Sequence, residues 1–310
     1  MLSKFSNEQR GTLLGVTAYL IWGFAALYWV QLQVVDTRDL LAHRVLWTVI
    51  AVLLTLLVAG RLTATLRLLR QPRTMAIMAA AAVFSAANWG IFIWAVTHEQ
   101  ATEAALGYFL LPLVNVVIGL TVFGERIDVA QKWGVAFAVA AVAVQVGYSG
   151  GLPLVALSLA LTFGLYGAIR KGIAIESMEG LLLEALIMLP FAIGWLIYRD
   201  GAGFGVHGLK IDLLLIGAGF YSAVPLMTYV AASRLLPLTA LGLVFYIGPT
   251  AQLIVAVWVF GEPLVPAQMV AFGLVWIGLV LVTMDGYRRA RRARRLAVVT
   301  NNQTDYSKGD

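Results

Sequence analysis

The sequence predicts an all-α integral membrane protein: ten transmembrane helices forming two inverted five-helix repeats, with both termini in the cytoplasm. Three observations lead there. The 310-residue chain is 61% hydrophobic and only 12% charged, where an average soluble domain carries about 25% charged residues. Its apolar residues fall in runs long enough to cross a bilayer. One segment recurs, in pattern, 137 residues further on.

A helix needs about 20 apolar residues to cross roughly 30 Å of hydrocarbon. Ten runs qualify, near residues 11–30, 40–59, 74–96, 104–123, 130–148, 153–170, 178–198, 212–232, 238–260 and 267–284. They are continuous and lack the alternation of a barrel strand, so helices are expected. Lys4 and Arg10 precede the first run in the manner of a signal peptide. That run is too long and has no small-residue cleavage site, so it is expected to stay as the first helix.

Lys and Arg set the orientation. With both termini inside, the inner segments hold 18 of the 22, all but Arg38, Arg44, Arg199 and Lys210. This bias predicts N-in, C-in. Six arginines of the net +6 charge balance lie in "YRRARRARRL" behind the last run. That position suits anionic lipid headgroups rather than nucleic acid.

The internal repeat pairs "GYFLLPLVNVVIGLTVFGERIDVAQ", 107–131, with "VFYIGPTAQLIVAVWVFGEPLVPAQ", 244–268. It matches Pro112 with Pro249, Asn115 with Gln252 and "VFGE" with "VFGE". The expected units are a cytoplasmic N-terminus 1–10, a first repeat 11–148, a second repeat 149–284 and a basic cytoplasmic tail 285–310. Five helices per unit force opposite orientations, a recurrent transporter design.

A central charge costs about 2.5–3.5 kcal/mol on insertion scales, so every intramembrane polar group is a candidate. Asn88, Asn115 and Gln252 fall near mid-span, where interhelical bonding and solute contact both fit. Pro112, Pro190, Pro225 and Pro249 lie in the middle thirds of their runs. A helix-interior proline frees carbonyls that can line a path, and the matched Pro112 and Pro249 predict paired kinks. Among the aromatics, Trp89 and Tyr108 are far enough from span ends to face the interior rather than an interfacial belt.

Arg44 and His43 stand in "LLAHRVLW", about one turn inside the outer boundary. Snorkelling explains an isolated arginine there. Glu103, at the outer start of the fourth run, makes an Arg44–Glu103 pair the expected outer gate, with Trp47 within helical reach of both His43 and Arg44. For Glu184, proton coupling competes with a salt pair to Arg170 or Lys171, and the pair is favoured. Glu125 and Glu262 follow glycines at helix ends, where a solvated position is expected.

Cysteine is absent, and His43, His98 and His207 lack ligand spacing, so no metal site is expected. No cofactor is implied either. No "GxxxxGK[ST]" occurs, so ATP is not a direct energy source. Ser85, Ser158 and Ser222 have no histidine in their own helices, and paired intramembrane aspartates are missing, which argues against an intramembrane enzyme.

In order along the chain, "GTLLGVTAYLIWG", "LLAHRVLW", "NWGIFIWAV", "EAALGYFLLPLVN", "VFGER" and "YIGPT" resemble the RarD-type proteins of the EamA group in the drug/metabolite transporter superfamily, over about residues 10–286. The resemblance implies a multi-pass permease of the bacterial inner membrane that exports a small organic metabolite or an amphenicol-like drug. It implies a cavity bounded mainly by the third, fourth, eighth and ninth helices, and makes Asn88, Trp89, Tyr108, Asn115, Tyr246 and Gln252 cavity candidates. The family often has Asn directly before the helix-four proline and Gln before the helix-nine tyrosine. Leu111 and Phe245 stand there, which predicts a more apolar path. Secondary transport is expected. Facilitated passage without proton coupling and a non-transporting receptor or scaffold are the alternatives, and oligomeric state is not legible.

Overall fold

A computed structural model of the chain describes residues 7–124, 129–149, 151–233, 235–236 and 244–285. The described residues are helical, with no strand among them. Glu125, Arg234 and the basic tail beyond Asp285 lie outside them.

Among the described residues, eight helices are long and apolar enough to cross a membrane. They are α3 (Thr37–Val58), α5 (Pro72–Thr97), α6 (Ala101–Val122), α7 (Val129–Ser149), α8 (Leu154–Lys171), α9 (Ser177–Tyr198), α10 (Leu209–Ser233) and a last helix, α12, at Pro266–Asp285. The first expected span is instead a bent pair. α1 (Asn7–Gly23) meets α2 (Ala25–Trp29) and its 3-10 extension Val30–Leu32 at 42°. The short α4 (Leu62–Leu68) caps one loop. The ninth expected span appears only in part, as α11 (Ile247–Ile254) continuing into a π-helical stretch Val255–Val259, because 237–243 lie outside the described residues.

Local chemistry sets several boundaries. Asp36 caps α3 by accepting from the Arg38 amide at 2.9 Å. The Arg38 Nε bond to Asp36, at 3.1 Å, also holds that carboxyl below the usual carboxylate range. Pro72 opens α5, where its missing amide proton costs nothing. Pro112, Pro190 and Pro225 lie inside unbroken helices, whereas the regular helix is interrupted at Tyr246, three residues before Pro249, although Tyr246 keeps right-handed helical angles. A proline cannot donate to the fourth residue back and its ring crowds that carbonyl, so the break falls where Pro249 would clash with Phe245.

The bend between α1 and α2 is held from outside. The Tyr221 hydroxyl donates to the Ile21 carbonyl, and Gln252 Nε2 donates to that of Trp22 at 3.4 Å. Both carbonyls sit where the helix stops supplying amide partners. A methyl group on Gly23 would stand 2.6 Å from the Ala251 Cβ, so glycine lets α11 approach the bend. Gly219 matters similarly: a Cβ there would meet the Trp47 backbone at 2.1 Å, where α10 crosses α3.

Packing is reciprocal between the two halves of the chain. α1 packs on α10 and α11, and α8 packs on α5 and α6. In span order these are first with eighth and ninth, and sixth with third and fourth, the same relation with the halves exchanged.

Glu262 corrects one expectation. It is 9% exposed rather than solvated. Gly261, at φ +70°, ends the helix in the left-handed region, and the Glu262 amide bonds back to Ala256 at 3.0 Å. This turn aims the carboxylate at the start of α6. There it accepts from the Ala101 and Thr102 amides, both at 2.7 Å, and from the Thr102 hydroxyl at 2.6 Å. Gln100, at the cap position, makes no side-chain cap bond, so the missing cap comes from 160 residues away. A carboxylate at a helix N-terminus also meets the positive end of the dipole. Glu262→Ala is expected to cost about 2 kcal/mol, with Glu262→Gln intermediate. Thermal unfolding in detergent measures the loss, and hydrogen exchange should accelerate first at Ala101 and Thr102.

Candidate functional site

Polar side chains that the bilayer cannot solvate gather between α3, α5, α6, α8 and α10. Asn88 is the hub. It is 1% exposed, and its Nδ2 donates to the Leu159 carbonyl and the Thr162 hydroxyl, both at 3.0 Å. Its Oδ1 accepts from the Tyr108 hydroxyl at 3.1 Å. Three of its four hydrogen-bonding sites are thus used, joining α5 to α6 and α8. Next along α5, the Trp89 ring carries the Arg44 guanidinium at 3.7 Å from its centroid. Arg44 Nε donates to the Ser222 hydroxyl at 3.0 Å, and that hydroxyl donates to the Ala218 carbonyl at 2.9 Å. Trp29 and Phe92 flank Trp89 edge-on, each at 6.3 Å, and Phe163 meets Tyr108 at 6.2 Å.

Arg44 is deeper than its sequence position implied. Seven residues separate it from Thr37, the first residue of α3, or about 10 Å of helix rise. It forms no ion pair with Glu103, which is half-buried and has no bonded partner among the described residues. The expected outer pair is absent from this structure; Trp89 and Ser222 hold Arg44 instead. His43 points elsewhere. Its Nε2 lies 3.0 Å from the Gly201 carbonyl and 3.3 Å from that of Ala202, and its ring stacks on Phe204 at 5.7 Å. Trp47 reaches the same loop, with its ring 6.5 Å from Phe204.

On the N-terminal side of this layer, Arg170 Nε stands 3.7 Å from the Glu184 carboxylate, which is 4% exposed. The other Arg170 nitrogens are occupied: Nη1 by Met78 Sδ at 3.3 Å, Nη2 by the Ile175 and Glu176 carbonyls at 3.3 and 3.4 Å. The guanidinium lies so close over Gly180 that a Cβ would meet Nη1 at 2.1 Å. Further out on that side, Arg61 joins Glu176 at 2.6 Å and Glu179 at 2.8 Å.

The remaining candidates lie apart from the hub. Gln252 is buried at the α1 bend, its Oε1 without a partner. Beside it Tyr19, Trp22, Tyr229 and Phe245 form a second aromatic group, with Tyr19 edge-on to Phe245 at 5.5 Å. Tyr246 packs toward the α6–α12 core, and Asn115 is exposed with its Oδ1 near Gly164. Leu111 is 3% exposed, so the two positions where the family often carries amides are filled by packed apolar side chains.

Sequence reasoning missed Ser222 as the Arg44 partner, Thr162 as an Asn88 acceptor, Tyr221 at the bend and Glu262 as a cap. Thr162 and Ser222 follow apolar neighbours at helical spacing and gave no signal. Glu262 carried one, in the "VFGE" shared by both halves. A cavity of about 910 Å³ opens on the face opposite the N-terminus, between the α2–α3 loop, α5 and α8. Arg38, Trp94 and His98 line it, and Gly90 and Ser158 bring it next in sequence to Trp89 and Leu159.

A multi-pass helical membrane protein that turns its polar side chains inward, between helices of both halves, has the build of a solute transporter. The chain belongs to the EamA-like transporter family, which matches residues 9–147. It is 38% identical to Protein RarD of Salmonella typhi, over 92% of this chain and 98% of that one. It is 34% identical to an uncharacterized transporter of Vibrio cholerae, over 93% and 97%. It is 32% identical to the chloramphenicol-sensitive protein RarD of Pseudomonas aeruginosa, over 93% and 98%. A solved structure described only as a crystal structure of protein superposes with a TM-score of 0.60 at 20% identity, covering 89% of this chain and 98% of that one. That likeness concerns the fold alone.

The hub makes a local prediction. Asn88→Ala leaves the Tyr108 hydroxyl without its acceptor, and a double-mutant cycle with Tyr108→Phe is expected to give a coupling of about 0.6–2 kcal/mol, the range of interhelical bonds in membranes. Thermal unfolding of the four proteins checks it.

Proposed function

We propose that the protein is a secondary transporter that moves a small organic solute across the bacterial inner membrane by alternating access, in the export direction. The observation that carries this is the layer of Arg44, Trp89, Asn88, Tyr108 and Ser222, which joins α3, α5 and α6 of the first half to α8 and α10 of the second. A solute site between halves that exchange roles is what alternating access requires. The reciprocal packing of α1 and α8 supports reading the chain as two inverted repeats, 11–148 and 149–284. The Lys and Arg bias supports an N-in, C-in orientation with ten spans. In that orientation the cavity by Arg38 and Trp94 is an outer vestibule, and the Arg61 and Arg170 pairs close the inner side.

The name of one relative speaks of chloramphenicol sensitivity, so an amphenicol belongs among the test solutes beside metabolites. Glu184 is our candidate for proton coupling, although its 3.7 Å approach to Arg170 supports the competing salt pair. If Glu184 does not couple, the protein facilitates passage down the solute's own gradient.

Purified protein in sealed proteoliposomes, loaded with a pooled metabolite and drug library, tests this with and without a pH gradient. The expected result is protein-dependent depletion of at least one solute class, steeper under the gradient and reduced to the no-gradient rate by Glu184→Gln. Depletion indifferent to the gradient selects the facilitator. Saturable binding without flux of any solute, in protein that remains folded, selects the receptor reading and ends the transporter reading.

A further inference from the structure

The charges of the buried layer do not balance. Arg44 is 8% exposed, yet no carboxylate among the described residues stands within ion-pair distance of it. Glu184, Tyr108 and Tyr166 are the ionisable groups near enough to act on it electrostatically. Glu184 is already beside Arg170 at 3.7 Å. No described carboxylate is therefore left to pair with Arg44. Uncompensated charge in a low-dielectric interior is strongly unfavourable, so such groups acquire a partner.

The guanidinium is also only half used. Nε is held by Ser222 at 3.0 Å, and the plane is held by Trp89 at 3.7 Å. The two Nη nitrogens bond no described group. A fixed guanidinium with a free edge matches a planar oxyanion through two parallel bonds, which an ammonium cannot imitate. The Trp89 ring that carries the guanidinium is itself packed in an aromatic group with Trp29 and Phe92, and Phe92 meets Tyr108.

We infer that Arg44 is the anion-recognition residue of the transport path, and that the solute carries a carboxylate or similar oxyanion on an apolar or aromatic body. The inference rests on the transporter reading for its role in flux but not for its role in binding. The bound anion supplies the missing negative charge, and Ser222 and Trp89 position the fork before it arrives, which lowers the ordering cost of binding.

The test measures binding first. Quenching of tryptophan fluorescence is followed in phosphatidylcholine nanodiscs with matched probes: phenylacetate against phenylacetamide, and hexanoate against hexanamide. Wild type is expected to bind each carboxylate at least tenfold more tightly than its amide. Arg44→Gln is expected to abolish that preference. Arg44→Lys, which keeps the charge and the fold, is expected to retain a preference weakened severalfold. Equal binding of acid and amide by wild type, no binding of any probe, or an undiminished preference in folded Arg44→Lys each overturns the inference. So does a carboxylate preference seen only in phospholipid-free micelles, which would assign the fork to a lipid headgroup phosphate. Arg44-dependent binding of carboxylates without flux in sealed vesicles leaves the anion site standing and removes the transporter reading alone.

Discussion

A guanidinium inside hydrocarbon is the constraint to which the other helices answer. Arg44 has lost its water, and a bilayer offers no replacement, so the protein must supply every compensating contact itself. It supplies two of them, a ring face and a hydroxyl from Trp89 and Ser222, contributed by α5 and α10. Each of those helices must then approach α3 closely. Gly219 permits the α10 approach, since any side chain there would enter the Trp47 backbone. The polar layer thus dictates where small residues fall, and packing follows from electrostatics as much as from shape.

The same accounting explains the irregular backbone. In a membrane, freed carbonyls are tolerated where other side chains take them up. The bend between α1 and α2 exposes the carbonyls of Ile21 and Trp22, and Tyr221 and Gln252 meet them. At the far face the open N-terminus of α6 is met by Glu262. In all three cases donor and acceptor come from opposite halves of the chain. Such bonds couple the halves directly, so a rocking motion of one half against the other must strain or exchange them. The polar contacts are therefore candidates for what changes between the states of a transporter.

Much of the architecture was legible because membrane burial imposes length and composition on each span, and both can be counted. The apolar runs located α3, α5 to α10 and α12 to within a few residues. Asn88, Trp89 and Tyr108 were legible as interior residues because a polar or amphipathic side chain far from a span end has nowhere else to go. What stayed hidden was pairing. Arg44 was expected to meet Glu103, since both were assigned to one boundary. Helix rise places Arg44 about 10 Å in, level with Trp89 rather than with the first turn of α6. Depth along a helix can be counted only once its first residue is known, and Asp36 as the cap of α3 was not singled out. Glu262 was misplaced for a related reason. A left-handed glycine reverses the chain, and the direction in which it aims the next side chain depends on which helix end lies opposite.

The two aromatic groups show why residue types alone did not define the pathway. One surrounds Arg44 and Asn88, the other surrounds Gln252 at the bend, and Phe245 belongs to the second. An amide at position 245 would stand against Tyr19, on which Phe245 now packs edge-on at 5.5 Å. Leu111 is buried and Phe245 packs on Tyr19, so neither position offers a polar group. On the reading of Arg44 as an anion site, charge is read where Trp89 and Ser222 hold the guanidinium, while the aromatic group around Gln252 supports the α1–α2 bend. The two groups then divide the work, one recognising charge and the other sustaining irregular backbone, which is why their shared aromatic composition did not separate them in the sequence.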